Sequence, residues 1–93
     1  MTLLSDDEVA AGLQGGPWRR EGPEIVRDLE FADFAGAMAF VNRVAGAAEA
    51  SNHHPDILVH GWNKVRLRLS THSEGGLTEA DIAMSRTLEA LAS

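Results

Sequence analysis

Residues 65–69, Val-Arg-Leu-Arg-Leu, alternate apolar and cationic side chains without a break. Wound into a helix, these residues would spread both kinds of side chain around the axis. As a strand they sort into two faces, with Val65, Leu67 and Leu69 turned to a core and Lys64, Arg66 and Arg68 turned away. The pattern reads as a strand from Trp62 to Ser70, and the basic stripe on its outer side reads as a solvated sheet face. Asp56–His60 is a short apolar strand just before it, and Gly61 supplies the turn between them. A half-buried hairpin is therefore the fixed point, and the rest of the chain must cover its apolar face.

A second hairpin precedes it. Glu21-Gly22-Pro23 is a turn signal, and Ile25, Leu29 and Phe31 share one strand face, with Arg27 as the exception to that pattern. Residues 17–31 read as this hairpin, with Trp18 either a packing residue or one wall of a ligand pocket. Three helices complete the reading. Ser5-Asp6-Asp7-Glu8 is a capping box with Leu4 and Val9 as its hydrophobic staple, and Gly15-Gly16-Pro17 ends that helix. Asp33 is the N-cap of a helix over 34–50, in which Phe34, Met38, Val41 and Ala45 form a stripe widened by Phe40, Val44 and Ala47. Gly36 and Gly46 within it predict close approach of another backbone, such as a helix of a second subunit. Thr78-Glu79-Ala80-Asp81 repeats the capping box, stapled by Leu77 and Ile82, and Met84, Leu88 and Leu91 form the buried stripe of the last helix. The order αββαββα predicts an α+β fold: one four-stranded antiparallel sheet with three helices on one face.

Ninety-three residues are read as a single domain, 1–93. A chain of that length buries a modest share of its surface, and with no cysteine it has no disulfide to help. A homo-oligomer is the expectation. A net charge of −6 argues against nucleic acid as a partner. The acidic start Ser5-Asp6-Asp7-Glu8 is unlike a secretory signal, and no apolar run approaches the roughly 18 residues of a membrane span. A cytoplasmic protein without membrane contact is expected.

Chemistry concentrates in residues 49–81. Here Glu49, His53, His54, His72 and Asp81 gather with Trp62 inside otherwise structural sequence. His60, beside a turn, reads as a surface hydrogen-bonding group. Three readings are open for the others. They can be structural. They can hold a metal, since three histidines and a carboxylate suit zinc, although adjacent His53 and His54 diverge in an extended segment and lack the spacing of a helical ligand pair. Or they can work as metal-free acids and bases near neutral pH, with Glu49 or Asp81 orienting an imidazole and Trp62 stacking on a flat substrate. The last reading suits proton transfer, elimination or hydration.

The full spacing Glu49-x3-His53-His54-Pro55-x6-Trp62-x9-His72-x8-Asp81 resembles the signature of the pterin-4a-carbinolamine dehydratases. The words Trp62-Asn63-Lys64-Val65, Thr71-His72 and Gly75-Gly76-Leu77-Thr78 agree with it, as does the order αββαββα. The resemblance implies a hydro-lyase that converts 4a-hydroxytetrahydropterin to quinonoid dihydropterin, with pterin as substrate and no cofactor or metal. It implies His53 and His72 as acids for the two faces of the 4a-hydroxyl, His54 as a pterin-binding residue that helps remove a proton, and Glu49 as support. Asp81 matches the closing acidic position, although its capping role explains it equally well. Trp62 matches the aromatic position and Trp18 a pocket-edge tryptophan. A homodimer or homotetramer, and a functional link to phenylalanine hydroxylase, also follow from the resemblance. So do two competing readings: a non-catalytic dimerisation or regulatory module, as in animal relatives that assist a homeodomain transcription factor, and a paralogue acting on another heterocycle. Asn52 stands where some members carry Asp, and Ala80 where animal members can carry a basic residue.

Overall fold

The computed structural model of the chain describes residues 2–92. Its elements are α1 (Asp6–Leu13), β1 (Arg19–Glu21), β2 (Glu24–Glu30), α2 (Phe34–Ser51), β3 (Asp56–His60), β4 (Lys64–Leu69), a single 3₁₀ turn (His72–Glu74) and α3 (Glu79–Leu91). The four strands form one antiparallel sheet in the order β1-β2-β4-β3, with the three helices on one face, as the sequence pattern predicts.

Register explains the two faces. Ile25 lies opposite Leu69, Arg27 opposite Leu67 and Leu29 opposite Val65 on the helix-covered side. There Ile25, Val65, Leu67 and Leu69 join Val9, Phe40, Val44, Leu77, Met84 and Leu88 in the core. Arg27 shares this side because its guanidinium has a partner there. It makes a two-pronged pair with Glu89 of α3, at 2.8 and 3.0 Å, and holds that carboxyl below its ordinary pKa.

The other sheet face carries a lattice of charges. Asp28 bonds Arg19 and Arg66, while Glu21 bonds Arg19 and Arg68. Val26 sits opposite both Arg19 and Arg68 and is wholly buried, although it lies on the side away from the helices. Arginine stems can cover apolar surface while their heads stay solvated. The Arg66 and Arg19 bonds hold the Asp28 carboxyl at about 2, against an ordinary 3.8. A carboxyl lowered on folding stabilises the fold above its unfolded pKa and loses that contribution as pH falls through the folded one. Melting midpoints of wild type and Asp28→Asn should therefore differ most above about pH 4 and converge as pH falls toward about 2.

Three sequence expectations change. The buried stripe of α2 is Ala37, Phe40, Val44 and Ala48, while Phe34 is 54% exposed and Ala45 is also exposed. A helix with small apolar residues on several faces does not reveal its phase from periodicity; packing of Phe40 against Phe31, with ring centroids 5.1 Å apart, accompanies the observed one. Second, β4 starts at Lys64. Gly61 and Trp62 both have positive φ, 54° and 59°, and turn the chain in a three-residue loop tied to Phe31 through Asn63. Third, within the chain no other helix backbone among the described residues approaches the α2 glycines. A Cβ on Gly36 would lie 3.1 Å from the N-cap carboxylate of Asp33, and one on Gly46 would meet nothing among the described residues. Gly46→Ala should thus raise stability by about 1 kcal/mol, read as a higher urea midpoint with unchanged m-value.

Candidate active site

Helix α2 ends at Ser51, and Asn52 takes a left-handed conformation (φ 50°, ψ 40°). Asparagine tolerates that region better than most residues, and its amide returns to the Ala48 and Glu49 carbonyls. The His53 amide also bonds the Ala48 carbonyl, at 3.2 Å. Pro55 keeps the helix from resuming. The reversal leaves His53 and His54 at the helix end with different partners.

His53 turns inward. Its Nε2 lies 2.7 Å from Oδ1 of Asp81, which is wholly buried, and its own side chain is only 16% exposed. The other oxygen of Asp81 accepts the Thr78 amide at 2.9 Å and the Thr71 hydroxyl at 2.8 Å. Asp81 is thus both the capping-box residue of α3 and the partner of His53, one role on each carboxylate oxygen. His54 turns outward, and its Nε2 bonds the exposed carboxylate of Glu49, one turn back on α2. The carboxylates therefore serve different histidines rather than meeting at one point. Among the described residues, no three His, Asp or Glu side chains gather as metal ligands would.

His72 arrives from the other strand of the β3–β4 hairpin, just after β4. After β4, residues 71–76 form a loop closed by a bridge between Thr71 and Gly76, with its two backbone hydrogen bonds at 2.8 and 3.4 Å. Leu4 clamps the following residue by donating its amide to the Leu77 carbonyl. His72 opens the 3₁₀ turn inside this loop, exposed, and its ring has no hydrogen-bond partner among the described residues. His53, His54, Pro55, Thr71, His72 and Ser73 line one open cleft of about 320 Å³. That is at the small end of the range for small-molecule sites.

The two tryptophans are not brought to this cleft. Trp62 is 61% exposed at the far end of the β3–β4 hairpin. The whole of β3 lies between it and His54, roughly 16 Å of extended chain. Trp18 is buried against the core, and its indole N–H donates to Glu89 at 3.0 Å, beside a separate hollow between α1 and α3. Asp56, Ser70 and Ser73 also line the histidine cleft. The sequence reading missed them because short polar residues at strand ends look like ordinary turn chemistry. It also missed the Thr71 contact with Asp81, although the Thr71-His72 pair lay inside the recognised words.

The arrangement offers three imidazoles around one opening, two of them held by carboxylates and the third without a partner among the described residues. Such a set can donate protons to a leaving group and accept protons from a ring without a covalent intermediate. Known proteins resemble this chain along nearly its whole length. The sequence model of the family described as pterin 4 alpha carbinolamine dehydratase matches residues 2–91. A protein of Thermomicrobium roseum is 51% identical over 94 residues, covering 100% of both chains. One of Acidobacterium capsulatum is 54% identical over 92 residues, covering 98% of this chain and 99% of its own. Both carry, as a provisional name, pterin-4-alpha-carbinolamine dehydratase. Among solved structures, a transcriptional coactivator/pterin dehydratase from Brucella melitensis superposes with a TM-score of 0.92 at 35% identity, over 99% of this chain and 100% of its own. A pterin dehydratase-like protein described as a RuBisCO assembly factor in the alpha-carboxysome matches with a TM-score of 0.67 at 26% identity, over 81% of this chain and 86% of its own.

Proposed function

The chain belongs to the pterin 4 alpha carbinolamine dehydratase family, and on that premise we propose that it is a hydro-lyase acting on 4a-hydroxytetrahydropterin. The observation that carries this reading is the meeting of His53, His54 and His72 on one cleft, with Asp81 and Glu49 each holding one imidazole.

The reaction breaks the C4a–O bond. The lone pair of the neighbouring ring nitrogen, N5, forms the C4a=N5 double bond as the hydroxyl departs. The oxygen takes a proton from an imidazolium and leaves as water, and the N5 proton passes to a base. Quinonoid dihydropterin and water are the products. Because the ring supplies the electron pair, the leaving group needs a positioned acid rather than a strong Lewis acid, and no cofactor enters the scheme. His53 and His72 approach the cleft from different elements and act as the acids for the two faces of the 4a-hydroxyl. His54 binds the pterin and assists proton removal, with Glu49 holding its ring. Asp81 occupies Nε2 of His53, so Nδ1 is the nitrogen left for the substrate.

Trp62 and Trp18 lie outside the cleft formed by their own chain. In this scheme they would contribute to binding only from another subunit, as the expected homodimer or homotetramer permits. The enzyme acts in the cytoplasm and recycles the pterin product of a hydroxylase of the phenylalanine hydroxylase type.

The RuBisCO assembly role of the alpha-carboxysome neighbour supports a second, non-catalytic reading of this fold as an assembly module. One experiment separates the two: following the decay of freshly generated 4a-hydroxytetrahydropterin with and without the purified protein. Faster decay is expected. Unchanged decay in the presence of folded protein would remove the dehydratase reading and leave another heterocycle or an association role.

A further inference from the structure

Thr71, on the lining of the histidine cleft, and Thr78 beside it share an ordered hydrogen-bond chain. Thr71 Oγ1 is 2.8 Å from Asp81 Oδ2 and 2.8 Å from Thr78 Oγ1. A threonine hydroxyl carries one hydrogen. That of Thr71 goes to the carboxylate, which has none to give when ionised, so the Thr78 hydroxyl must donate to Thr71. Thr78 Oγ1 in turn accepts the Ala80 amide at 3.2 Å. Every hydrogen in the chain therefore points one way, from the first turn of α3 through Thr78 and Thr71 to Asp81. Donors also approach Asp81 from the Thr78 amide and from His53. A carboxylate surrounded by donors leaves His53 Nε2 as the hydrogen-bearing nitrogen.

We propose that Thr71 and Thr78 are positioning residues for His53, acting through Asp81: they fix the orientation of the carboxylate to which Nε2 of His53 donates, and so hold the ring with Nδ1 facing the reacting group. The loop bridge between Thr71 and Gly76 is what brings the Thr71 hydroxyl to the start of α3. Asp81 and Thr78 are wholly buried, so water does not reach the carboxylate itself, while Thr71 closes its side toward the cleft. A lone capping box would need only the Thr78–Asp81 contacts. The additional Thr71 bond fixes the rotation of the carboxylate about its own axis, and with it the plane of the imidazole. The kinetic part of this inference rests on the dehydratase reading; the structural part does not.

The test pairs Thr71→Val, which keeps the shape and removes the hydroxyl, with Thr71→Ser, which restores it. Long-range nitrogen–proton NMR of the histidine rings reads which nitrogen of His53 carries hydrogen, with His53→Gln used to assign the signals. In wild type, Nε2 of His53 should carry it; a bare Nε2 would overturn the inference without any variant. Thr71→Val should keep the hydrogen on Nε2 but shift and broaden the His53 signals as the ring loses its fixed plane, and Thr71→Ser should restore them. In the decay assay, kcat should fall about tenfold in Thr71→Val, as expected for one lost hydrogen bond to a charged group, with KM nearly unchanged. Unaltered His53 signals in folded Thr71→Val, or no recovery in Thr71→Ser, would also overturn it. If wild type fails to speed the decay, the dehydratase reading falls, and the NMR arm still decides the positioning role.

Discussion

Alanine at His72 is expected to slow the protein-assisted decay of 4a-hydroxytetrahydropterin by about 10²-fold or more while leaving thermal stability unchanged. Positioned acid–base groups contribute roughly 10²–10⁴-fold. His72 is exposed, and its ring bonds nothing among the described residues, so its removal disturbs no packing and strands no partner. Substitutions of this kind change stability by about 0.5 kcal/mol at most. His53 is the contrasting case. Its loss removes a proposed acid and also leaves the buried Oδ1 of Asp81 without its donor, so His53→Ala should lose rate and stability together. The triple variant lacking His53, His54 and His72 should return the decay to its unassisted rate. Its loss should be smaller than the product of the three single losses, because groups acting on one transition state are not additive. Single-turnover rates beside melting curves would check all of this. An unchanged rate in His72→Ala would remove His72 from the mechanism.

Alanine at Asp81 should have the largest effect on folding. The carboxylate is wholly buried and receives the Thr71 hydroxyl, the Thr78 amide and the His53 ring. Deleting it leaves three donors without their acceptor, the Thr78 amide among them wholly buried. A donor left without its acceptor costs about 1–3 kcal/mol, so three cost about 3 kcal/mol or more. Against the roughly 5–14 kcal/mol expected for a chain of this length, that is a large share. A fall in melting temperature of about 12 °C or more should follow. Asp81→Asn should fall less, because its oxygen can still accept the Thr78 amide. Its amino group would then donate toward His53 and impose the opposite ring tautomer, so this variant should keep much of its stability and lose most of its assisted rate. If both variants melt like wild type, the Asp81 cluster does not bear on folding as described.

How much of this could be read in advance depended on the range of the interaction. The strand Val65 to Leu69 has period two and hydrogen bonds within a hairpin, so both its faces were readable from the order of its residues. The capping boxes at Ser5 and Thr78 are closed within three residues and were equally legible. The phase of α2 was not, because Phe34, Met38 and Phe40 offer apolar surface on more than one side, and the helix buries the side that meets the sheet. Trp62 looked like the first residue of a strand because aromatic residues favour strands. Its left-handed backbone is set by the three-residue loop that the register of His60 against Lys64 demands.

The candidate site divides in the same way. The order and identity of Glu49, His53, His54, His72 and Asp81 are properties of the sequence, and so is the helix end at Asn52 and Pro55 that turns two adjacent histidines in different directions. Which carboxylate serves which histidine is not. Glu49 reaches His54 across one helical turn, a local contact, but Asp81 reaches His53 across 28 positions. That contact exists only because α2 and α3 pack side by side on one face of the sheet. The capping box and the histidine partner then become a single residue, and Thr71 is drawn in through a bridge whose ends are five positions apart. Trp18 shows the converse: a residue that matched the family's pocket edge is directed by long-range packing to Glu89 and the core. Local hydrogen bonding and periodicity are encoded within a few residues and are legible there. Pairings between distant segments depend on how the buried faces meet, and only the folded chain decides them.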